Sequence, residues 1–158
     1  MAHGSVSATI PAPSAAVFDL LHDYGRRLEW DTLLRAAYLD DGHTVAGKGA
    51  TSVCVGRRSL GGLAFKTVYV TFERPTRAAV KLVNAPLFFE TWAASIQHQD
   101  LSAQESRIIY TFHFLVKPRL LRPLLDPLVE RVFRWETAKR LRALQLHFAR
   151  ETTSSRWR

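Results

Sequence analysis

After Lys117-Pro118 the spacing of apolar residues changes from every second position to every third or fourth, and it does not change back. Leu121, Leu124, Leu125, Leu128, Val132, Trp135, Ala138, Leu141, Leu144 and Phe148 recur at helical spacing, with no proline or glycine between Leu128 and Arg150. Pro118, Pro123 and Pro127 fall in the first third of this segment, which predicts a kinked start or a separate first turn. A long amphipathic helix has to bury an apolar stripe, and the only large partner this chain offers is the sheet that precedes it. The space between the two is either filled by side chains or left open for a ligand.

The upstream part reads as that sheet. Residues 6–10 alternate apolar and small polar side chains and predict a strand, broken by Pro11 and Pro13. Residues 15–21 predict a short helix with Val17, Leu20 and Leu21 on one face, and Ser14 or Pro13 opens it. Asp23-Tyr24-Gly25 interrupts, and residues 26–30 predict a second helical turn or two. Strands are then expected at 35–39, 50–57, 63–73, 77–83, 87–97 and 106–116, separated by Asp40-Asp41-Gly42, Gly61-Gly62, Arg74-Pro75-Thr76 and Asn84-Ala85-Pro86. The connections are short enough for antiparallel hairpins.

Ile10-Pro11-Ala12-Pro13 with Val17-Phe18-Asp19-Leu20-Leu21, then Asp23 and Glu29-Trp30-Asp31, resembles the opening of the START-like, helix-grip (SRPBCC) superfamily. More narrowly it is similar to the polyketide cyclase/dehydrase and lipid-transport group, and the Pro118 to Pro127 segment with the Arg-rich helix after it matches as well. The resemblance implies an α+β helix-grip fold: a curved seven-stranded antiparallel sheet around a long C-terminal helix, with two short helices after the first strand and an apolar cavity inside. One START-like domain is expected over residues 1–151, and the polar residues 152–158 read as a frayed tail. For function it is less specific, because the same scaffold hosts carriers, receptors and enzymes.

Composition narrows the classes. The 158 residues, 47% hydrophobic and 23% charged, are enough for one core without disulfide or metal. No apolar run approaches the ~18 residues of a membrane span, and Met1 to Ser5 lacks the charged and apolar stretches of a signal peptide. A single cysteine, Cys54, fits a reducing compartment, so the expected location is the cytoplasm. The abundance of Arg and Ala points to a GC-rich bacterial source. There is no G-x-S-x-G, H-E-x-x-H or C-x-x-C, and the glycine clusters at 47–49 and 56–62 lack the residues of a dinucleotide or phosphate loop. No metal and no cofactor is indicated.

Three groups of residues are candidates for a site. Phe65, Tyr69, Trp92, Tyr110, Phe112 and Phe114 lie on expected strands, and core packing competes with pocket lining for each. Val132 and Trp135 would face them from the helix, and Trp30 would close the mouth or anchor the short helix to the sheet. Glu90 and His113 are weak catalytic candidates, since a carboxyl or imidazole inside an apolar cavity could serve as acid or base. Against this, Glu90 reads equally as a rim carboxylate paired with arginine, and His113 as an outward, solvated side chain.

The net charge of +8 is concentrated after Val116, where eleven basic residues face four acidic ones. Arg119, Arg122, Arg131, Arg134, Lys139, Arg140 and Arg142 form either a solvated helix face or a transient contact with anionic lipid. Nucleic acid is not the expected partner, because no reading module accompanies the charge. The resulting expectation is a non-catalytic binding protein for a small or elongated hydrophobic ligand such as a lipid, an isoprenoid quinone or a polyketide. The alternative is a polyketide aromatase/cyclase or dehydratase using acid/base residues in the same cavity.

Overall fold

The computed structural model describes residues 2–58, 61–84, 86 and 88–157. Seven strands follow in the order expected: β1 (Ala2–Ile10), β2 (Leu34–Asp40), β3 (Thr51–Gly56), β4 (Ala64–Glu73), β5 (Arg77–Leu82), β6 (Phe89–Ser102) and β7 (Glu105–Val116). Leu87, the expected start of the sixth strand, and Ala85 in the turn before it lie outside the described residues. All pairings are antiparallel, and the sheet order is β1-β7-β6-β5-β4-β3-β2. β1 and β2 are therefore opposite edges, and α1 (Ser14–Leu21) and α2 (Arg27–Trp30) carry the chain from one edge to the other. This is the α+β helix-grip arrangement.

Local chemistry accounts for the joints. Val17, Phe18, Leu20 and Leu21 bury one side of α1, and its first N–H, on Ser14, donates to Asp100 Oδ1 at 2.8 Å. Pro13, one of the two expected openers, is the N-cap residue, and the Ser14 N–H is satisfied by a carboxylate from the end of β6. The β3–β4 turn holds Gly61 and Gly62 at φ of 82° and 63°, which only glycine adopts without strain.

A 3-10 turn at Arg119–Leu121 precedes α3 (Arg122–Ser155), so the separate first turn is present and Pro127 sits within the helix. Among the described residues no helix is long and apolar enough to cross a membrane. α3 continues past residue 151, its Thr152 and Thr153 hydroxyls donating back to the carbonyls of Phe148 and Ala149 at 3.0 Å each. It leans on β1 and β7, burying Val129, Thr137, Leu141, Leu144 and Phe148. Arg134 and Gln145 donate to the Ser5 and Thr9 carbonyls of β1 at 3.2 and 2.8 Å, covering an otherwise open sheet edge.

The first half of the expected apolar stripe does not pack on the sheet. Leu121, Leu124, Leu128, Val132, Trp135 and Ala138 are exposed. Residues 122–135 carry apolar side chains on both sides of the helix, so spacing alone cannot choose between them. Phe133 decides it, because its ring reaches those of Phe112 and Phe114 at 5.6 and 6.0 Å.

Gly4 of β1 pairs with Phe112 of β7, and a Cβ there would lie 2.5 Å from the tip of the Phe112 ring. That ring is fully buried and has nowhere to move. Gly4→Ala is expected to destabilise the fold by about 1–3 kcal/mol through overpacking, read as a lowered urea midpoint with an unchanged slope.

Candidate functional site

Because α3 rests on the β1–β7 side, the concave face of β3 to β6 is left partly uncovered. A cavity of about 500 Å³ remains there, within the size range of small-molecule sites. One wall is aromatic and aliphatic: Phe65, Val80, Phe88, Phe89, Trp92 and Ile96 from the sheet, with Phe133 opposite. The other end is polar, built from His22, Tyr24 and Arg27 of the short-helix segment, Thr67, Tyr69 and Tyr110 of the sheet, and Glu136 and Arg140 of α3. A shallower groove of about 600 Å³ lies between α1 and the β2–β3 connection, with His22 and Tyr24 bordering both spaces.

Within the polar end a chain of neutral groups runs from His22 to Thr67. Tyr24 donates to Ser52 Oγ at 3.0 Å, Tyr24 and Tyr69 hydroxyls are 3.0 Å apart, Tyr69 is 2.7 Å from His22 Nδ1, and Ser52 is 3.0 Å from Thr67. Each hydroxyl has one proton, so Tyr24 giving its proton to Ser52 obliges Tyr69 to donate to Tyr24 and His22 Nδ1–H to donate to Tyr69. Either hydroxyl can donate in the last bond, between Ser52 and Thr67; where Ser52 donates, Thr67 keeps its own proton for an acceptor in the cavity. Burial holds these groups uncharged. It pushes His22 down to about 3, assisted by the nearby Arg27 charge, and raises Tyr24, Tyr69, Tyr110 and Cys54 above their usual ranges.

Behind the hydroxyl chain sits a charged network. Asp31 is fully buried and accepts from Arg27 Nε at 2.9 Å and from the Leu33 N–H at 3.2 Å. Arg140 Nε is 3.0 Å from the same carboxylate, and Arg27 Nη1 donates to the Leu21 carbonyl at 2.7 Å. Burial alone would raise the Asp31 carboxyl, but Arg140 and Arg27 outweigh it and hold it below the usual range. Arg27 lies over the Trp30 ring, 5.0 Å from its centroid.

Of the residues singled out from sequence, Phe65, Tyr69, Trp92, Tyr110 and Val132 line the cavity. Phe112 and Phe114 do not; the lateral position of α3 puts Phe133 directly on them and makes them core. Trp30 is buried under Arg27 and packs in the core, away from the mouth. Trp135 stands on the outer side of α3, where the Lys139 ammonium lies 3.7 Å from its ring centroid.

Neither Glu90 nor His113 reaches the cavity. A bulge between Phe89 and Thr91 shifts the alternation of β6, turning Phe89 and Trp92 inward and Glu90 outward to pair with Arg122. His113 lies on the outer face, exposed, with its ring 6.0 Å from that of His3 across β1. Among the residues that sequence reading passed over are His22, Arg27, Ser52, Thr67, Glu136 and the inward role of Arg140. One signal was available, since Arg27 and Asp31 are four apart across a short helix; Arg140 shares a helix side with Phe133, Thr137 and Leu144, but spacing alone does not say that this side faces in. Among the described residues no group of His, Cys, Asp and Glu is placed to hold a metal ion.

The family described as polyketide cyclase / dehydrase and lipid transport matches residues 1–149. Solved structures with the same fold include a START superfamily protein of Mycobacterium smegmatis, at 12% identity and TM-score 0.76, covering 95% of this chain and 99% of that one. The Zhui aromatase/cyclase of a Streptomyces species has 14% identity and TM-score 0.76, covering 95% and 94%. A protein of Thermus thermophilus has 12% identity and TM-score 0.77, covering 94% and 98%. At these identities the likeness is one of fold. No curated protein matches the chain.

Proposed function

We propose that this chain, which belongs to the polyketide cyclase / dehydrase and lipid transport family, binds a largely apolar molecule that carries an acceptor oxygen. The observation behind this reading is the two-ended cavity. An apolar body is favoured against Phe65, Phe89, Trp92 and Phe133 at ~25 cal/mol per Å² withdrawn from water. The oxygen would accept from Thr67, with Tyr24 and Tyr69 holding the hydroxyl chain in register. A lipid, an isoprenoid quinone or a polyketide meets that description. We favour binding over acid/base catalysis because the inward titratable groups of the hydroxyl chain are held far from neutral, whereas a general acid or base works best near the working pH. The cyclase or dehydratase reading keeps one point in its favour, the unbroken run of hydroxyls from Tyr69 to Thr67, along which a proton could pass.

Native mass spectrometry of the protein from its own host, followed by extraction, tests the reading and names the guest. A second test uses anilinonaphthalene sulfonate as a fluorescent probe. Val80→Phe puts a ring into the cavity and is expected to weaken probe binding about tenfold or more, at a stability cost of about 1–3 kcal/mol. Probe binding that survives Val80→Phe unchanged rules the cavity out as the site. Conversion of an added polyketide precursor would move the assignment to the enzyme.

A further inference from the structure

The outer face of α3 serves neither the core nor the polar end of the cavity. Leu120 is 92% exposed, Leu124 74%, Leu128 58% and Trp135 59%. From Leu124 onward their spacing keeps them on the side of the helix opposite Val129, Phe133 and Leu144. A helix packed on a sheet in water ordinarily presents polar residues on that side. Here the polar groups interleaved with the leucines are all cations: Arg119, Arg131, Lys139 and Arg142 are exposed. The carboxylates of the same stretch, Asp126, Glu130 and Glu136, are half-buried; Glu130 is paired with Arg134 at 2.7 Å and Glu136 with Lys139 at 3.7 Å. Leu128 and Val132 belong to the outer face and also line the cavity, so the face borders the cavity mouth.

We propose that this face docks on a lipid bilayer containing anionic lipid. Leu120, Leu124 and Leu128 enter the acyl boundary, Trp135 lies at the headgroup level, and the four cations meet the anionic headgroups. The cavity mouth at Leu128 and Val132 then opens onto the bilayer, a route by which an apolar guest moves between membrane and protein without crossing water. The docking itself rests on the surface alone; only the guest's passage rests on the cavity reading. A second copy of the chain is the poorer occupant, because a two-fold contact through this face would set Arg131 and Arg142 against cations, while Glu130 and Glu136 are half-buried and already paired.

The test is flotation with vesicles of pure phosphatidylcholine and of equimolar phosphatidylcholine and phosphatidylglycerol. Binding is expected to the anionic vesicles and to fall with added salt. The double variant L120D/L124D should lose about a hundredfold or more. R131E/R142E should lose at least about fivefold per position. All four positions are exposed, so both variants should melt like the wild type. Equal binding to both vesicles, indifference to the substitutions, or no binding at all overturns the proposal. So does a concentration-dependent dimer that L124D dissolves, or retention on an acidic protein without flotation. Val80→Phe separates the two readings, since it should still float while failing to take up the fluorescent probe. Wild-type protein that takes up probe but never floats removes the docking face and leaves the cavity reading standing.

Discussion

Asp31→Ala is expected to lower the stability of the fold by about 3–5 kcal/mol, a large share of the roughly 5–15 kcal/mol that holds a domain folded. The carboxylate is fully buried and is shared by Arg27 and Arg140, at 2.9 and 3.0 Å, with the Leu33 N–H on its other oxygen. Its removal leaves the Arg27 guanidinium buried, attached only to the Leu21 carbonyl, and facing the like charge of Arg140. Trp30 covers one side of it, so the cavity that Arg27 borders is its one route to water. Urea denaturation at neutral pH measures the loss. Glu29→Ala, which removes an exposed partner of Arg26, provides the contrast at below about 1 kcal/mol. If Asp31→Ala costs no more than Glu29→Ala, the network is not the buried structure described above. Replacing the whole network, Arg27→Met and Arg140→Met together with Asp31→Leu, should recover much of the loss, because apolar side chains carry no desolvation penalty.

The reach of sequence reading can be judged from this same network and its surroundings. The order of elements was legible because hydrophobic period is a local property, and the switch after Lys117-Pro118 is where β7 gives way to α3. Arg27 and Asp31 were legible as a pair, being one helical turn apart. Arg140 was not, because nothing local tells which side of a long Arg-rich helix faces in. The same limit misplaced Trp135 and the leading leucines, whose spacing is as good a stripe as the one the sheet selects. Strict alternation would put Glu90, two residues before Trp92, on the same face as that ring, and a single bulged residue reverses it. Phe112 and Phe114 share the inward face with Tyr110, as alternation requires. Whether an inward ring lines a cavity or fills a core depends on where the helix rests across the sheet, which is set by contacts between distant segments such as Phe133 on Phe112 and Gln145 on Thr9.

Acid should unfold this protein over an unusually high range, beginning below about pH 6.5. His22 and His98 are buried, and burial lowers their pKa values to about 3 and about 4, with the Arg27 charge adding to the effect at His22. In the unfolded chain both return to the usual value near 6.5. Between the two limits the unfolded state binds protons that the folded state refuses, so stability is full above pH 6.5 and falls as pH drops toward 4. Each histidine contributes a slope approaching 1.4 kcal/mol per pH unit, so the pair should remove roughly 4–5 kcal/mol over two units. Asp31 acts lower on the scale: its carboxyl is held below the usual range, so its share is lost only as pH falls below about 3.9.

Urea denaturation at steps from about pH 7.5 to about pH 4.5 reads the slope directly. His98→Leu supplies the decisive comparison. Both ring nitrogens of His98 are buried without a protein partner among the described residues, and its ring packs 5.4 Å from Phe18. The substitution should therefore halve the acid slope and raise stability at neutral pH by about 1–2 kcal/mol, because a buried polar ring without partners is replaced by an apolar side chain. A profile that His98→Leu leaves unchanged means that His98 takes up its proton in the folded state, and one that stays flat down to pH 4.5 means that both imidazoles do. His22 would then be a cation beside Tyr69, the hydroxyl chain would lose its neutral end, and the acid/base reading of the cavity would displace simple binding.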